Sequence, residues 1–337
     1  MMLRPLPSLL LITALLGWAS PGWASNLNQQ LNIQPRNPTQ GSARNVADQW
    51  AQLGHQQAVA GDLAQATQSW SEAVAIYALL GDTQAQAQIY SALGSAFVAL
   101  RQYPEAELAF QRRVGTARMN NDPLGVVFGL NNLGSLHLSL GRLDTAQTYF
   151  EEALTVAQPT RDANAIGLSL SNLGLVALRR EQWEQAILLL EPAANYRLRG
   201  GDTGGEANTS NHLGEAYLAV GRESNAIGAF RVGLRLGEEA GDRAAQIRAI
   251  DGLLTLYFGR EDVATAKPFL DRRAALTLET ANPDVQTVLT LRWLGDYYRA
   301  TGATDNARIT YTQGLTLARS LTLKSLEAEF SNRLLAI

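Results

Sequence analysis

A Leu-Gly pair returns every forty residues along this chain: Leu53-Gly54, Leu93-Gly94, Leu133-Gly134, Leu173-Gly174 and Leu213-Gly214. The sixth copy reads Leu253-Leu254, and the seventh, Leu294-Gly295, arrives one residue late. An alanine follows each pair at a fixed distance (Ala66, Ala106, Ala146, Ala186, Ala226, Ala266, Ala307). Four residues beyond each alanine stands a large apolar residue: Trp70, Phe110, Phe150, Leu190, Phe230, Leu270 and Tyr311. Three position series that share one period and one slip define an internal repeat, and a repeat of this length overrides the domain count that 337 residues would otherwise suggest.

The punctuation between copies says what each repeat is. Copies begin at Gly41-Ser42, Gly81-Asp82, Asn121-Asp122, Arg161-Asp162, Gly201-Asp202, Gly241-Asp242 and Ala281-Asn282. Ser, Asp and Asn cap helix starts by accepting orphan amide protons. Gly and Asn adopt the left-handed conformation that ends a helix. Pro123 and Pro283 follow two of the caps, where a first helical turn tolerates proline. Mid-repeat breaks fall at Gly61, Gly141, Gly221 and Gly302, and Pro104 opens a second helix. The spacing therefore predicts two helices per repeat, each of about 16 residues and about 24 Å. Leu130, Leu133, Leu136 and Leu140 on one helix, and Leu143, Ala146, Phe150 and Leu154 on the next, recur in steps of three and four and make one buried stripe per helix. One hairpin cannot cover its own apolar face, but stacked hairpins bury a continuous core. Pro192 and Pro268 fall inside second helices, where each removes an amide donor and should bend its helix.

The pattern resembles the tetratricopeptide-repeat family, whose consensus runs Leu-Gly, aromatic, Ala, aromatic, Ala. Phe97, Tyr217, Tyr257 and Tyr298 match the first aromatic, whereas Gln57, His137 and Ala177 depart from it. Ala73, Ala153 and Ala193 match the last alanine; Arg113, Gly233, Arg273 and Gly314 do not. The forty-residue period and the Asn-Leu-Gly of Asn132 and Asn172 look most like the longer repeats of kinesin light chains, spindle-orientation adaptors and bacterial peptide-sensing regulators. The resemblance implies an all-α fold, a right-handed α-solenoid (superhelix) of seven helix-turn-helix repeats over 41–323. Repeats would start near 41, 81, 121, 161, 201, 241 and 281, and a capping helix would cover 324–337.

Met1 to Pro7 carry one charge, Arg4; a short apolar run, Leu9 to Trp18, follows, and then small residues. That order reads as a secretory signal peptide over 1–24 cleaved after Ala24, with a polar lead-in over 25–40. The apolar run is about half the ~20 residues a membrane span needs. The expectation is an exported protein, in a periplasm or thylakoid lumen or secreted, with no membrane attachment after cleavage.

Other classes of function find little support. A net charge of -3 lacks the electrostatic footprint of a nucleic-acid binder. With no cysteine there is no disulfide, thiolate zinc site, iron–sulfur cluster or thiol nucleophile. His55, His137 and His212 are far apart and form no metal motif. Gly200 to Gly205 lacks the Lys-Ser/Thr of a phosphate loop and falls on a repeat boundary. We therefore expect no catalysis, metal or cofactor, and a protein or peptide as partner.

By resemblance to the family, partners lie against the first helices, at positions six, three and two before each Leu-Gly glycine and one and four after it. Mapped here, these give an amide-rich centre of Asn131, Asn132, Ser135, Ser171, Asn172, Asn208, Asn211 and His212. Asparagine both donates to and accepts from a peptide backbone. Toward the C-terminus the same positions carry Arg248, Asp251, Arg292, Asp296 and Arg299, whose guanidiniums can take carboxylates in bidentate fashion. These residues could also only solvate the face or pair among themselves, Arg248 with Asp251 at helical spacing. The family's chaperone-tail clamp is unmatched, since Ala51 and His55 stand where it needs Lys and Asn. Two readings follow: a scaffold that holds an extended peptide or client, or a sensor of the same fold in which a peptide or metabolite tightens the superhelix.

Overall fold

The computed structural model describes residues 41–278 and 282–337. The expected leader, the lead-in and Ala281 lie outside the described residues. Among those described, the fold is all helical. Each chain segment of about forty residues contributes two helices: α1 (Ser42–Val59) and α2 (Leu63–Leu79), α3 (Thr83–Ala99) and α4 (Tyr103–Met119), α5 (Pro123–Ser139) and α6 (Leu143–Thr160), α7 (Ala163–Arg179) and α8 (Trp183–Gly200). There follow α9 (Thr203–Ala219) and α10 (Glu223–Glu239), α11 (Arg243–Gly259) and α12 (Val263–Thr277), α13 (Val285–Ala300) and α14 (Thr304–Ser320), and last α15 (Lys324–Leu335).

Most helices run 17 or 18 residues, longer than the spacing suggests, because one turn serves at both ends of the hairpin. A left-handed residue closes α1 to α11, α13 and α14, and the next residue caps the following helix. The left-handed residue is glycine at 61, 81, 141, 201, 221, 241 and 302. Arg101, Asn121, Arg161, Glu181, Glu261 and Thr322 adopt the same conformation without being glycine. In nearly every turn the amide after it reaches back five residues, as Asp82 N–H does to the Tyr77 carbonyl at 2.9 Å. The capping side chain then starts the next helix: Asp62, Asp122 and Asp242 accept from the amides of Gln65, Gly125 and Ala245 at 3.1, 2.8 and 3.0 Å. Each such cap stabilises its helix by about 1 kcal/mol.

Two expected caps differ. Gly41, not Ser42, occupies the cap of α1 and offers no side-chain acceptor. Asp284, not Asn282, caps α13, where it forms a reciprocal capping box with Thr287. Pro283 therefore precedes the cap instead of opening the helix. Helices α8 and α12 continue through Pro192 and Pro268, and α6 holds Pro159 as well.

The described residues divide into two compact units, with the boundary between 179 and 180. In the first, α1 to α7 pack each on the next; in the second, α8 to α15 do the same. First helices also touch first helices, α5 against α7 in one unit and α9 against α11 in the other. Close approach within a hairpin rests on the repeating glycine. A methyl group on Gly134 would overlap the fully buried Phe150 ring, and Gly94 meets Phe110, and Gly214 meets Phe230, in the same way. Ala106, Ala146, Ala226 and Ala266 are completely buried. Small residues let the helices approach, and the aromatic fills the space left over, which produces crystal-like density.

Candidate functional site

Within each unit the first helices lie side by side, and hydrogen bonds join their side chains. In the first unit Asn131 on α5 is buried. Its Nδ2 donates to the Val127 carbonyl at 2.9 Å and to Ser169 Oγ on α7 at 3.1 Å. Its Oδ1 accepts from Asn172 Nδ2 at 2.8 Å. Asn131 thus spends both amide protons and one acceptor position inside the fold, and one amide proton of Asn172 is engaged. Ser171 Oγ returns to the Gly167 carbonyl at 2.6 Å. Asn132 and Ser135 are half-buried and make no side-chain hydrogen bond among the described residues.

The second unit repeats the theme with more charge. Asn208 Nδ2 donates to the Gly204 carbonyl at 3.0 Å and to the Asp242 cap at 3.2 Å. Asn211, fully buried, donates to the Ala245 carbonyl of α11 at 2.9 Å, while its Oδ1 lies against Gly233 with no hydrogen-bond partner. Arg248 Nη1 lies 2.9 Å from His212 Nε2, and because a guanidinium only donates, that nitrogen is the acceptor. Arg248 also lies 4.0 Å from Glu215.

Asp251 does not pair with Arg248. It takes Arg273 of α12 in bidentate fashion at 2.6 and 3.1 Å and the Trp293 indole Nε1 of α13 at 2.9 Å. Arg273 is one of the residues that depart from the family's last alanine, and it is wholly buried. Its remaining donors reach the carbonyl and side chain of Gln286, both at 3.0 Å, and Thr290. Asp296 likewise accepts Arg333 of α15 at 2.9 and 3.1 Å and the Tyr311 hydroxyl at 2.6 Å. Burial, reinforced by Asp296, pushes the Tyr311 hydroxyl far above the ordinary phenol range. Arg292 lies over the Trp293 ring at 5.0 Å and 3.5 Å from Glu329. Arg299 remains half exposed, 4.0 Å from Asp296.

The two arrays therefore divide by role. Asn131, Asn172, Asn208, Asn211, Asp251 and Asp296 join neighbouring helices. Asn132, Ser135, Arg248 and Arg299 keep donors on the first-helix face. Aromatic residues on the same face escaped the sequence reading. Phe258 on α11 and Trp293 on α13 stack with centroids 5.4 Å apart. Both occupy the groove positions used above, four after and two before the repeat glycine site.

His137 is buried between α4, α5 and α6, stacked on Tyr149 at 5.4 Å, with Glu107 at 3.6 Å from Nε2. Burial holds its pKa below the usual imidazole value; Glu107 opposes that shift and Arg142 adds to it. Among the described residues no group of three or more His, Cys, Asp or Glu is placed to hold a metal, and no helix is long and apolar enough to cross a membrane.

The family model described as Tetratricopeptide repeat matches residues 127–197. No protein of curated function matches the chain. Several solved structures share its fold. BtubC (BKLC) from P. vanneervenii is 20% identical over 65% of this chain and 92% of its own, with a TM-score of 0.57. A Rap protein complexed with Competence and Sporulation Factor is 13% identical over 92% of this chain and 82% of its own, at 0.55. The Rap conjugation gene regulator of the plasmid pLS20, in complex with the Phr* peptide, is 16% identical over 80% and 74%, at 0.52.

Proposed function

We propose that this chain of tetratricopeptide repeats is an exported scaffold that binds an extended peptide or client segment along its first-helix face. The observation that carries this reading is the leftover bonding capacity of that face once the helices have joined. Asn132 and Ser135 make no side-chain hydrogen bond among the described residues, and Arg248 and Arg299 face carboxylates only at 4.0 Å. In the second unit the half-buried Phe258, stacked on the buried Trp293, adds an aromatic edge. Amides suit a backbone of varied sequence, arginines suit carboxylates, and aromatic rings supply contact area at low entropic cost. Two solved proteins of the same fold are held with a factor and with a peptide, which supports a peptide-class partner. The charge-poor leader supports export, and a fractionation of the native host tests that part directly.

For the binding face, a photo-crosslinking residue placed at Ser135 or Thr255 should capture a partner in extracytoplasmic extracts. The same residue at Glu72, exposed on the second helix α2, should not. Equal capture at all three positions would remove the first-helix face from consideration.

A further inference from the structure

We infer that α1 is a two-fold dimerisation surface, on which a second copy of this chain covers the stripe Asn45, Gln49, Gln52 and Gln56.

In the internal repeats this stripe is where a preceding second helix packs. Gly125 and Gly129 of α5, eighty residues after Asn45 and Gln49, lie against Ala117 and Val114 of α4. Ahead of α1 the sequence does not match the alanine and large apolar residue of the repeat ruler. Forty residues before Ala66 and Trp70 stand Asn26 and Gln30, and Pro35 and Pro38 follow. The apolar positions beside the stripe show the consequence. Val126, Leu130 and Leu133 of α5 are 5%, 2% and 2% exposed, whereas Val46, Trp50 and Leu53 are 43%, 37% and 38% exposed.

Three features select a second copy as the occupant. No exposed residue of α1 is charged, because Arg44 is paired with Asp82 and Asp48 accepts the Tyr77 hydroxyl at 2.5 Å. Two copies therefore meet without like-charge repulsion. All four stripe residues are primary amides, which donate and accept at once and so complement themselves. The stripe is also a palindrome about the middle of α1, between Trp50 and Ala51. An antiparallel two-fold pairing sets Asn45 opposite Gln56 of the other copy and Gln49 opposite Gln52. An isologous contact requires that self-complementarity. A single helix pair buries less than the roughly 1,200 Å² of a stable interface, so the dimer is weak and reversible.

Sedimentation equilibrium on the purified full chain should show a monomer–dimer equilibrium. Trp50→Glu should raise the dissociation constant at least about tenfold, as loss of a central tryptophan does, with an unchanged melting curve. The chain has no cysteine, so Gln49→Cys reports the contact independently. A short bismaleimide should cross-link that variant far faster than Ala75→Cys on the exposed side of α2. A monomer at every concentration, a dimer indifferent to Trp50→Glu, or equal cross-linking at the two cysteines would overturn the inference. Dimerisation that appears only after removal of residues 25–40 would assign the face to that segment, and would overturn it as well.

Discussion

Arg273, wholly buried on α12, donates through Nε to Asp251 Oδ1 on α11 at 2.6 Å, and Trp293 of α13 donates to the same oxygen at 2.9 Å. One carboxylate thus ties three consecutive helices. Its value is in being complete, because a buried ion pair is about neutral relative to apolar packing but costly to break. Asp251→Ala leaves a guanidinium without its counter-ion and should lower stability by about 3 to 5 kcal/mol in urea unfolding. The double variant Asp251→Asn with Arg273→Ala recreates the combination at the equivalent positions Asn131 and Ala153, and should recover most of that loss. A double variant as unstable as the single one would refute the pair as the cause.

The glycine of each Leu-Gly is a contact with a ring. Gly134→Ala drives a methyl group into the edge of the Phe150 ring, which is fully buried. Overpacking of this kind should cost about 1 to 3 kcal/mol. The sixth repeat shows the compensating choice: there Leu254 replaces the glycine and Leu270 replaces the aromatic. Phe150→Leu in the Gly134→Ala background should therefore recover stability, whereas Phe150→Leu alone should lower it. Thermal melts of the three variants give the comparison.

Turn chemistry offers a test that touches no packing. Glu181 is exposed and left-handed, with φ 58°, and Gly221 holds the same turn position with φ 74° and open space around it. An L-residue pays roughly 1 to 2 kcal/mol for that conformation. Gly221→Ala should destabilise by about 1 kcal/mol, and Glu181→Gly should stabilise by somewhat less, because glycine also frees the unfolded chain. Opposite signs in urea unfolding are the expected result.

The fold was legible because its signals are local and repeated. A period of forty, an Asp before most helices and the Gly–aromatic pair each recur often enough to outweigh a degenerate copy such as Leu253-Leu254. The turns that were missed, at Arg101, Glu181 and Glu261, lack glycine, and at Arg101 and Glu261 the tight reverse bonding of the turn accompanies the left-handed residue without it. The slip at Asp284 was hidden for a similar reason: Asn282 also caps helices well, and only the Asp284–Thr287 reciprocity decides between them. The candidate site was less legible. The repeat ruler places Asn131 and Asn172 on one face but does not say that each is the other's partner, and it gives no sign that Arg273 reaches Asp251 from the next helix.

His137 gives stability a pH dependence of definite sign. Its folded pKa lies below the usual imidazole value of about 6.5 because burial disfavours the charged ring. Between the folded pKa and about 6.5 the unfolded chain binds more protons than the folded one, so stability is full above that window and falls as pH drops through it. His137→Phe, which copies Phe97, should reduce the loss in melting temperature between pH 7.5 and pH 5. Glu107→Gln should enlarge it, because Glu107 favours the protonated ring.

The same comparison of neighbours separates joining from binding on the first-helix face. Asn131 is buried and uses both ends of its amide inside the fold, whereas the adjacent Asn132 is half-buried and uses neither among the described residues. Asn131→Ala removes hydrogen bonds to Ser169 and Asn172 and should lower stability by about 1 to 3 kcal/mol, since it strands buried partners. Partner capture by the surviving folded protein should change little. Asn132→Ala should leave the melting temperature within about 1 °C, as surface changes do, and should weaken capture at the Ser135 crosslinking position. Arg299→Ala, half exposed with its nearest carboxylate at 4.0 Å, should behave like Asn132→Ala in the second unit. If Asn131→Ala weakened capture as much as Asn132→Ala at equal folded fraction, the face would act through its shape and not through its free amides.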